Sequence, residues 1–180
     1  MSENADTTGE VDERIRDATR DDLPRIVAIY NESIDGRWST ADLEPITVES
    51  REAWFAAHDP AKRPLWVLER GGEVIAWVSL HWFYHRRPAY DGTAEIATYV
   101  ARDHRGRGIG LRLKRAMIAA CPRLGVDAVI STYFDHNART QAINERLGFV
   151  EVGHLPAIAV LDGVRRGVKI ALLRVPAPGS

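Results

Sequence analysis

The stretch that most narrows what this chain can become is TAEIATYVARDHRGRGIGLRLKRAMIAA, residues 93–120. An apolar, β-rich run passes through a basic loop with glycine at 106, 108 and 110 into a helical pattern with Leu111, Ala116, Met117 and Ala120 on one face. Glycines let a backbone approach a ligand closely, and the unpaired N–H groups of a following helix N-terminus offer a site for phosphate, here helped by Arg105 and Arg107. The ligand this predicts is a diphosphate. The spacing is not GxGxxG and no lysine follows in the GxxxxGK[ST] sense, so a Rossmann dinucleotide site and an NTPase loop both fit poorly. Taken alone, such a run is equally compatible with a solvent loop.

The rest of the chain is ordered around this segment by its periodicities. Thr19 followed by Asp22 resembles a capping box with Asp in place of Glu, and Leu23, Ile26, Val27 and Tyr30 recur at helical spacing. Residues 47–58 form a second helix that sets Trp54 and Phe55 against the core. LWVLER and EVIAWVSL flank Gly71-Gly72 as a β-hairpin, because that pair tolerates positive φ. Residues 81–93 read as a loop rich in aromatics and arginine. Residues 126–132 are a strand, and residues 137–147 a helix closed by Gly148 in left-handed geometry. Two strands at 149–161, interrupted near Pro156, and 166–174 are joined by Asp162-Gly163. With a first strand over 14–18, the order predicts one α/β domain with a mixed sheet from residue 14 to 175. Residues 1–13, which hold five acids, and residues 176–180 are expected to be disordered tails.

Charge is balanced, with 24 Lys and Arg against 25 Asp and Glu, which excludes a dominant nucleic-acid footprint. The single Cys121 excludes an internal disulfide and a multi-cysteine zinc site, and reads as a small buried residue in a reducing compartment. No run approaches the roughly 18 apolar residues that span a bilayer, and the N-terminus is polar and acidic. The expectation is a cytoplasmic protein with no membrane and no nucleic-acid partner. His81 and His85 have i,i+4 spacing but no surrounding HExxH pattern, so no metal is expected.

RGRGIG fits the [Q/R]xxGx[G/A] signature, and with the strand before it, the helix after it and the downstream NARTQAINERLGF the chain resembles the GNAT acyltransferases from Ile15 to about Arg174. Within that superfamily STADLEPITVESREAWF, AEIATYV and ERLGFVEVGHLP are similar to the phosphinothricin and methionine sulfoximine acetyltransferase group. The resemblance implies a central mixed, mostly antiparallel sheet flanked by helices and splayed between the strands at 94–100 and 126–132. It also implies acetyl-CoA as donor and a homodimer. By the same resemblance the amides of Arg105, Gly106, Arg107, Gly108, Ile109 and Gly110 bind the CoA diphosphate, and the main chain at Tyr99 and Val100 pairs with pantetheine. Asn137, with Thr140 one turn further on, occupies the position that reaches CoA; its other reading is a helix N-cap. Glu95 matches the strand glutamate that takes the amine's proton directly or through water, although an acid there could also face solvent at a sheet edge. Where relatives carry His or Tyr, this chain has Asn144, an amide that cannot titrate. The expectation is that the Asn144 amide N–H stabilises the CoA thiolate by a hydrogen bond to the sulfur or to a water beside it, and that solvent protonates it; the other reading is a helix residue that packs near CoA without chemical effect. Arg165 and Gly167 stand where the close family tends to show Trp and Asp.

Transfer to an amine needs a neutral nucleophile, a polarised thioester carbonyl and a stabilised thiolate. The acceptor pocket is expected from Trp38, Phe83, Tyr84 and Tyr90, with Arg86 or Arg87 pairing with a substrate carboxylate, since arginine recognises carboxylates bidentately. The function this predicts is N-acetylation of a small amine, an amino acid or an analogue, by direct attack in a ternary complex. The alternatives are a protein or peptide N-acetyltransferase, which would show a more open acceptor groove, and a non-catalytic acyl-CoA sensor, which Asn144 suggests.

Overall fold

The computed structural model describes residues 12–176. The expected tails therefore lie outside the described residues except for Asp12, Glu13 and Pro176, and Glu13 belongs not to a tail but to the first strand. Seven strands are present: β1 (Glu13–Asp17), β2 (Leu65–Arg70), β3 (Glu73–Trp82), β4 (Thr93–Val100), β5 (Ala128–Phe134), β6 (Val150–Leu161) and β7 (Val164–Arg174). They form one sheet in the order β1-β2-β3-β4-β5-β7-β6. Four helices flank it: α1 (Leu23–Asn31), α2 (Val48–Ala56), α3 (Ile109–Ala120) and α4 (Ala138–Arg146). Every neighbouring pair of strands is antiparallel except β4 and β5. This is the α/β architecture, the mostly antiparallel mixed sheet and the element order that the sequence predicts.

Strand alternation divides the core between the two faces. Ala94 and Ile96 of β4 pack with Leu113 and Met117 of α3 and Val129 of β5. Ala97 and Tyr99 turn the other way, toward Ile26 and Ile29 of α1, Trp77, Trp54 and Phe55. The hairpin turn sits at Gly71 and Gly72, with φ 57° and 82°, a geometry that glycine adopts without a Cβ penalty. β5 starts two residues later than predicted because Val126 donates its N–H to the Cys121 carbonyl at 2.9 Å and closes a turn through Gly125, φ 70°. On α3 the buried face is Ile109, Leu113, Lys114, Met117 and Ala120; Leu111 and Ala116, predicted there, lie at its margins. At Gly167 a Cβ would collide with Asp135 Oδ2 and His154, and the residue's N–H donates to that carboxylate at 3.0 Å.

One interaction fastens the N-terminal edge. Thr19 N–H donates to Asp22 Oδ2 at 2.7 Å and Asp22 N–H donates to the Thr19 carbonyl at 3.0 Å, the reciprocal capping the sequence suggests. Arg16 adds bidentate bonds to Asp22 at 2.7 and 2.9 Å and also reaches Glu69 on β2. The Arg16 bond, outweighing burial and aided by Thr19, holds the Asp22 carboxyl down to about 2. A depressed carboxyl contributes stability above its unfolded value and loses it as pH falls through the folded one. Between about pH 4 and pH 2, urea unfolding of the chain should lose about 1–2 kcal/mol from this group, after discount for solvent screening. Asp22→Asn should remove that part of the slope; an unchanged pH profile would show the pair to be inert.

Candidate active site

β4 and β5 pair over three residues, Thr93 with Ala128, Ala94 with Val129 and Glu95 with Ile130, and then part. Between their free ends lies a cavity of about 790 Å³. Glu95 stands at the vertex, half-buried on the last rung and opposite His81 of β3. By alternation it shares the α1/α2 face with Ala97 and Tyr99.

The glycine loop forms the outer end of this cleft. Gly106 and Gly108 have φ 79° and 76°, and a Cβ on either would meet nothing within 4 Å, so both backbones lie open to the cleft. Gly108 is the N-cap of α3, whose first N–H groups therefore face that space without protein partners of a regular helix. Buried Thr98 Oγ1 and His104 Nδ1 have no hydrogen-bond partner, and both residues line the cleft. A ligand with a diphosphate and a polar chain fits this set: donors at the loop, unpaired main chain along β4, and two waiting side-chain atoms. Of the predicted loop residues, Gly106, Gly108, Ile109, Gly110 and Arg105 line the cleft, as do Tyr99 and Val100. Arg107 is exposed and does not. Arg105 is committed to the protein, its Nε donating to the Val100 carbonyl at 2.9 Å and its Nη2 to the Glu32 carbonyl at 3.2 Å.

Asn137 serves as the N-cap of α4, Oδ1 accepting from Thr140 N–H at 3.0 Å. Its Nδ2 donates to the Trp38 carbonyl at 2.7 Å, and His136 Nε2 meets the Arg37 carbonyl at 2.9 Å. Asn137 and Thr140 both line the cleft, and so does Trp38, whose ring lies 5.0 Å from that of His136.

A second cavity of about 160 Å³ lies on the α1/α2 face, lined by Tyr30, Ile46, Arg51, Trp54, Trp77 and neighbours. It shares His81, Ala97 and Tyr99 with the large cleft, so the two meet on the Glu95 side of the sheet. The Arg51 guanidinium sits 4.8 Å from the Tyr30 ring and 5.6 Å from the Trp54 ring. Burial, with His58 and Arg51 adding, pushes His81 down to about 4, so it is neutral at pH 7. Phe83, Tyr84, Arg86, Arg87 and Tyr90, predicted to wall the acceptor pocket, line neither cavity. They form a separate aromatic knot, with Phe83 and Tyr90 rings 5.5 Å apart and Arg86 4.5 Å over Trp82. Trp82 is gripped from its other neighbour by buried Arg63 at 4.2 Å, whose Nη2 donates to the Asp91 and Thr93 carbonyls at 2.6 and 3.2 Å. Sequence reasoning passed over Arg51 because it lies mid-helix among solvated residues; only the fold turns it inward.

Asn144 does not line the cleft. It is buried behind it, Oδ1 accepting from Lys114 Nζ at 2.9 Å and Nδ2 donating to Ser131 Oγ at 3.1 Å. Lys114 and Ser131 do line the cleft. Neither was visible in the sequence pattern. Among the described residues there is no cluster of three or more His, Cys, Asp or Glu placed to hold a metal ion.

Residues 14–150 match the family model described as Acetyltransferase (GNAT) domain. The chain is 42% identical over 157 residues to the Bacillus subtilis protein YwnH, covering 87% of this chain and 95% of that one. It is 33% identical over 147 residues to the L-methionine sulfoximine/L-methionine sulfone acetyltransferase of Pseudomonas paraeruginosa, covering 80% and 84%. Among solved structures, the GNAT superfamily phosphinothricin acetyltransferase of Sinorhizobium meliloti in complex with acetyl-CoA superposes with TM-score 0.85 at 25% identity, over 93% of this chain and 90% of that one.

Because Gly108 combines positive φ with open space, an Asp there would bring strain, bulk and a negative charge to the donor end of the cleft. Calorimetric titration with CoA should show Gly108→Asp binding at least about tenfold more weakly, a loss of about 1.4 kcal/mol. Equal affinity would remove this loop from CoA binding.

Proposed function

This chain belongs to the GNAT acetyltransferase family, and on that premise we propose that it acetylates the primary amine of a small amino acid or amino-acid analogue, the amine attacking acetyl-CoA directly while both are bound. The observation that carries the reading is the small cavity joined to the cleft beside Glu95. At about 160 Å³ and walled by α1, α2 and β3, it has room for an amino-acid-sized acceptor and not for a protein segment lying in a groove. Its aromatic rings supply apolar area, and Arg51 supplies the one cation of its lining, suited to a carboxylate or similar anion next to the amine. That role passes to Arg51 from Arg86 and Arg87, which lie elsewhere.

Glu95 is the base, or the group that positions a water for it. It sits where the cavities meet, and its partner across the β3–β4 ladder is His81, which burial keeps neutral at pH 7. An α-amino group with an ordinary value near 7.8 needs only about 1 kcal/mol to lose its proton at pH 7, whereas a lysine amine near 10.4 needs about 4.6 kcal/mol. One carboxylate suits the first task. Acetyl-CoA, when bound, supplies the activated acyl carbon; Thr98, Tyr99, Val100, Asn137 and Thr140 would hold its chain, and the Gly106–Gly110 backbone its diphosphate. Acetyl-CoA and the reduced state of buried Cys121 fit a cytoplasmic setting.

The homodimer reading is supported by β6 and β7. Val150, Val152, Leu155, Ile158, Val160 and Val164 are all exposed, on a sheet edge that has no further strand among the described residues. Light scattering should give twice the chain mass; a monomer at micromolar concentration overturns it.

CoA release should be measured over amino acids, their sulfoxide and sulfone analogues, polyamines and peptides. Turnover confined to amino acids and analogues is expected, and Glu95→Gln should lower it by about 10²–10⁴ with CoA affinity kept. Arg51→Ala should raise KM for amino acids and analogues bearing a carboxylate, with CoA affinity kept. No CoA release with any acceptor in the panel, despite tight CoA binding, would mark a sensor instead.

A further inference from the structure

We infer that Lys114 holds and protonates the departing CoA thiolate, with Asn144 and Ser131 positioning its ammonium. The inference rests on the acetyl-transfer reading above and concerns the proton that Asn144 itself cannot supply. Ser131 is the first β5 residue beyond the last rung of the β4–β5 ladder, so the group it anchors stands at the same vertex as Glu95. The two occupy opposite faces: Glu95 with α1 and α2, Lys114 on the buried side of α3. A thioester in the gap would have a base on the acceptor side and a cation on the other.

Lys114 is 5% exposed and takes part in no ion pair among the described residues. Its Nζ donates to Asn144 Oδ1 at 2.9 Å and to Ser131 Oγ at 3.2 Å, two neutral acceptors for three N–H groups. A buried ammonium without a counter-ion is costly, and one beside an open cleft gains when an anion arrives. Burial alone pushes Lys114 down to about 8. That lies close to the ordinary thiol value of about 8.5, so a proton passes between the two at little cost. Facing groups are the Asn144 amide from α4, Ser131 from β5 and the Phe149 ring 5.8 Å from Nζ. Tyr133, two residues further along β5, lines the same cleft and is raised by burial.

In the step, a bond forms between the amine nitrogen and the acyl carbon and the carbon–sulfur bond breaks, its electron pair leaving on sulfur. Lys114 Nζ gives one proton to that sulfur. The surplus proton of the amine goes to Glu95 or its water, and solvent restores Lys114. No further reactant is needed.

The test is the thiol of bound CoA, titrated by thiolate ultraviolet absorbance in the binary complex, with no acceptor present. In the parent chain it should titrate about one unit below the ordinary thiol value of about 8.5, and in Lys114→Met it should return to that value. With an accepted amine, Lys114→Met should lower kcat about 10–100-fold, leave acceptor KM within about threefold, and lose the alkaline fall in rate near pH 8. An ordinary thiol value in the parent overturns the proposal even if the variant does not fold. Equal kcat and pH profile in a folded variant overturns it as well. If the parent acetylates no amine while its bound thiol is shifted, the functional reading fails and the protonation step with it, and only the contact between Lys114 and the CoA sulfur is kept.

Discussion

Two parallel strands that stop pairing after three residues leave main-chain donors and acceptors facing each other across a gap, inside a protein where such groups are normally satisfied. The sheet tolerates the break because each arm is secured elsewhere. β4 keeps its full register with β3, from Trp82–Ala94 to Ala76–Val100, and β5 keeps its register with β7 from Ala128–Arg174 to Phe134–Val168. α3 spans beneath, sending Leu113 and Met117 into both arms. The groups left unpaired are those available to an extended polar ligand, and both cavities open from the same vertex.

The residues at that vertex divide by face. Period-two alternation puts Glu95 on the side of the aromatic residues that line the small cavity, and the α3 pattern puts Lys114 with Asn144 and Ser131. The Asn144 amide is thus employed on both of its ends, accepting from Lys114 of the neighbouring helix and donating to Ser131 of β5.

Local signals carried most of the fold. Glycine pairs fixed the hairpin, the Thr19–Asp22 spacing located the start of α1, and the basic glycine loop identified α3 and the cleft's outer end. Strand limits at β5 drifted because Val126 looks like a strand residue but is drawn into a turn by Cys121. The lining of the two cavities was the least legible part. Arg51 and Lys114 each sit among other charged residues on a helix, and nothing in a linear pattern distinguishes the one that faces inward. Conversely, Phe83, Tyr84 and Tyr90 have the composition of a binding wall, yet they satisfy one another, and Arg63 and Arg86 hold Trp82 between them.

The segment joining α1 to α2 crosses from one arm of the split sheet to the other. It is tied to the β4 side by Tyr99 Oη donating to the Ser39 carbonyl at 3.1 Å, and to the α4 side by Asn137 and His136 on the Trp38 and Arg37 carbonyls. Arg37 extends the tie to Asp162 in the β6–β7 turn at 2.7 Å. Because the three ties hold the carbonyls of consecutive residues 37, 38 and 39, the crossing couples the two arms, and a change that loosens one tie is felt at the other.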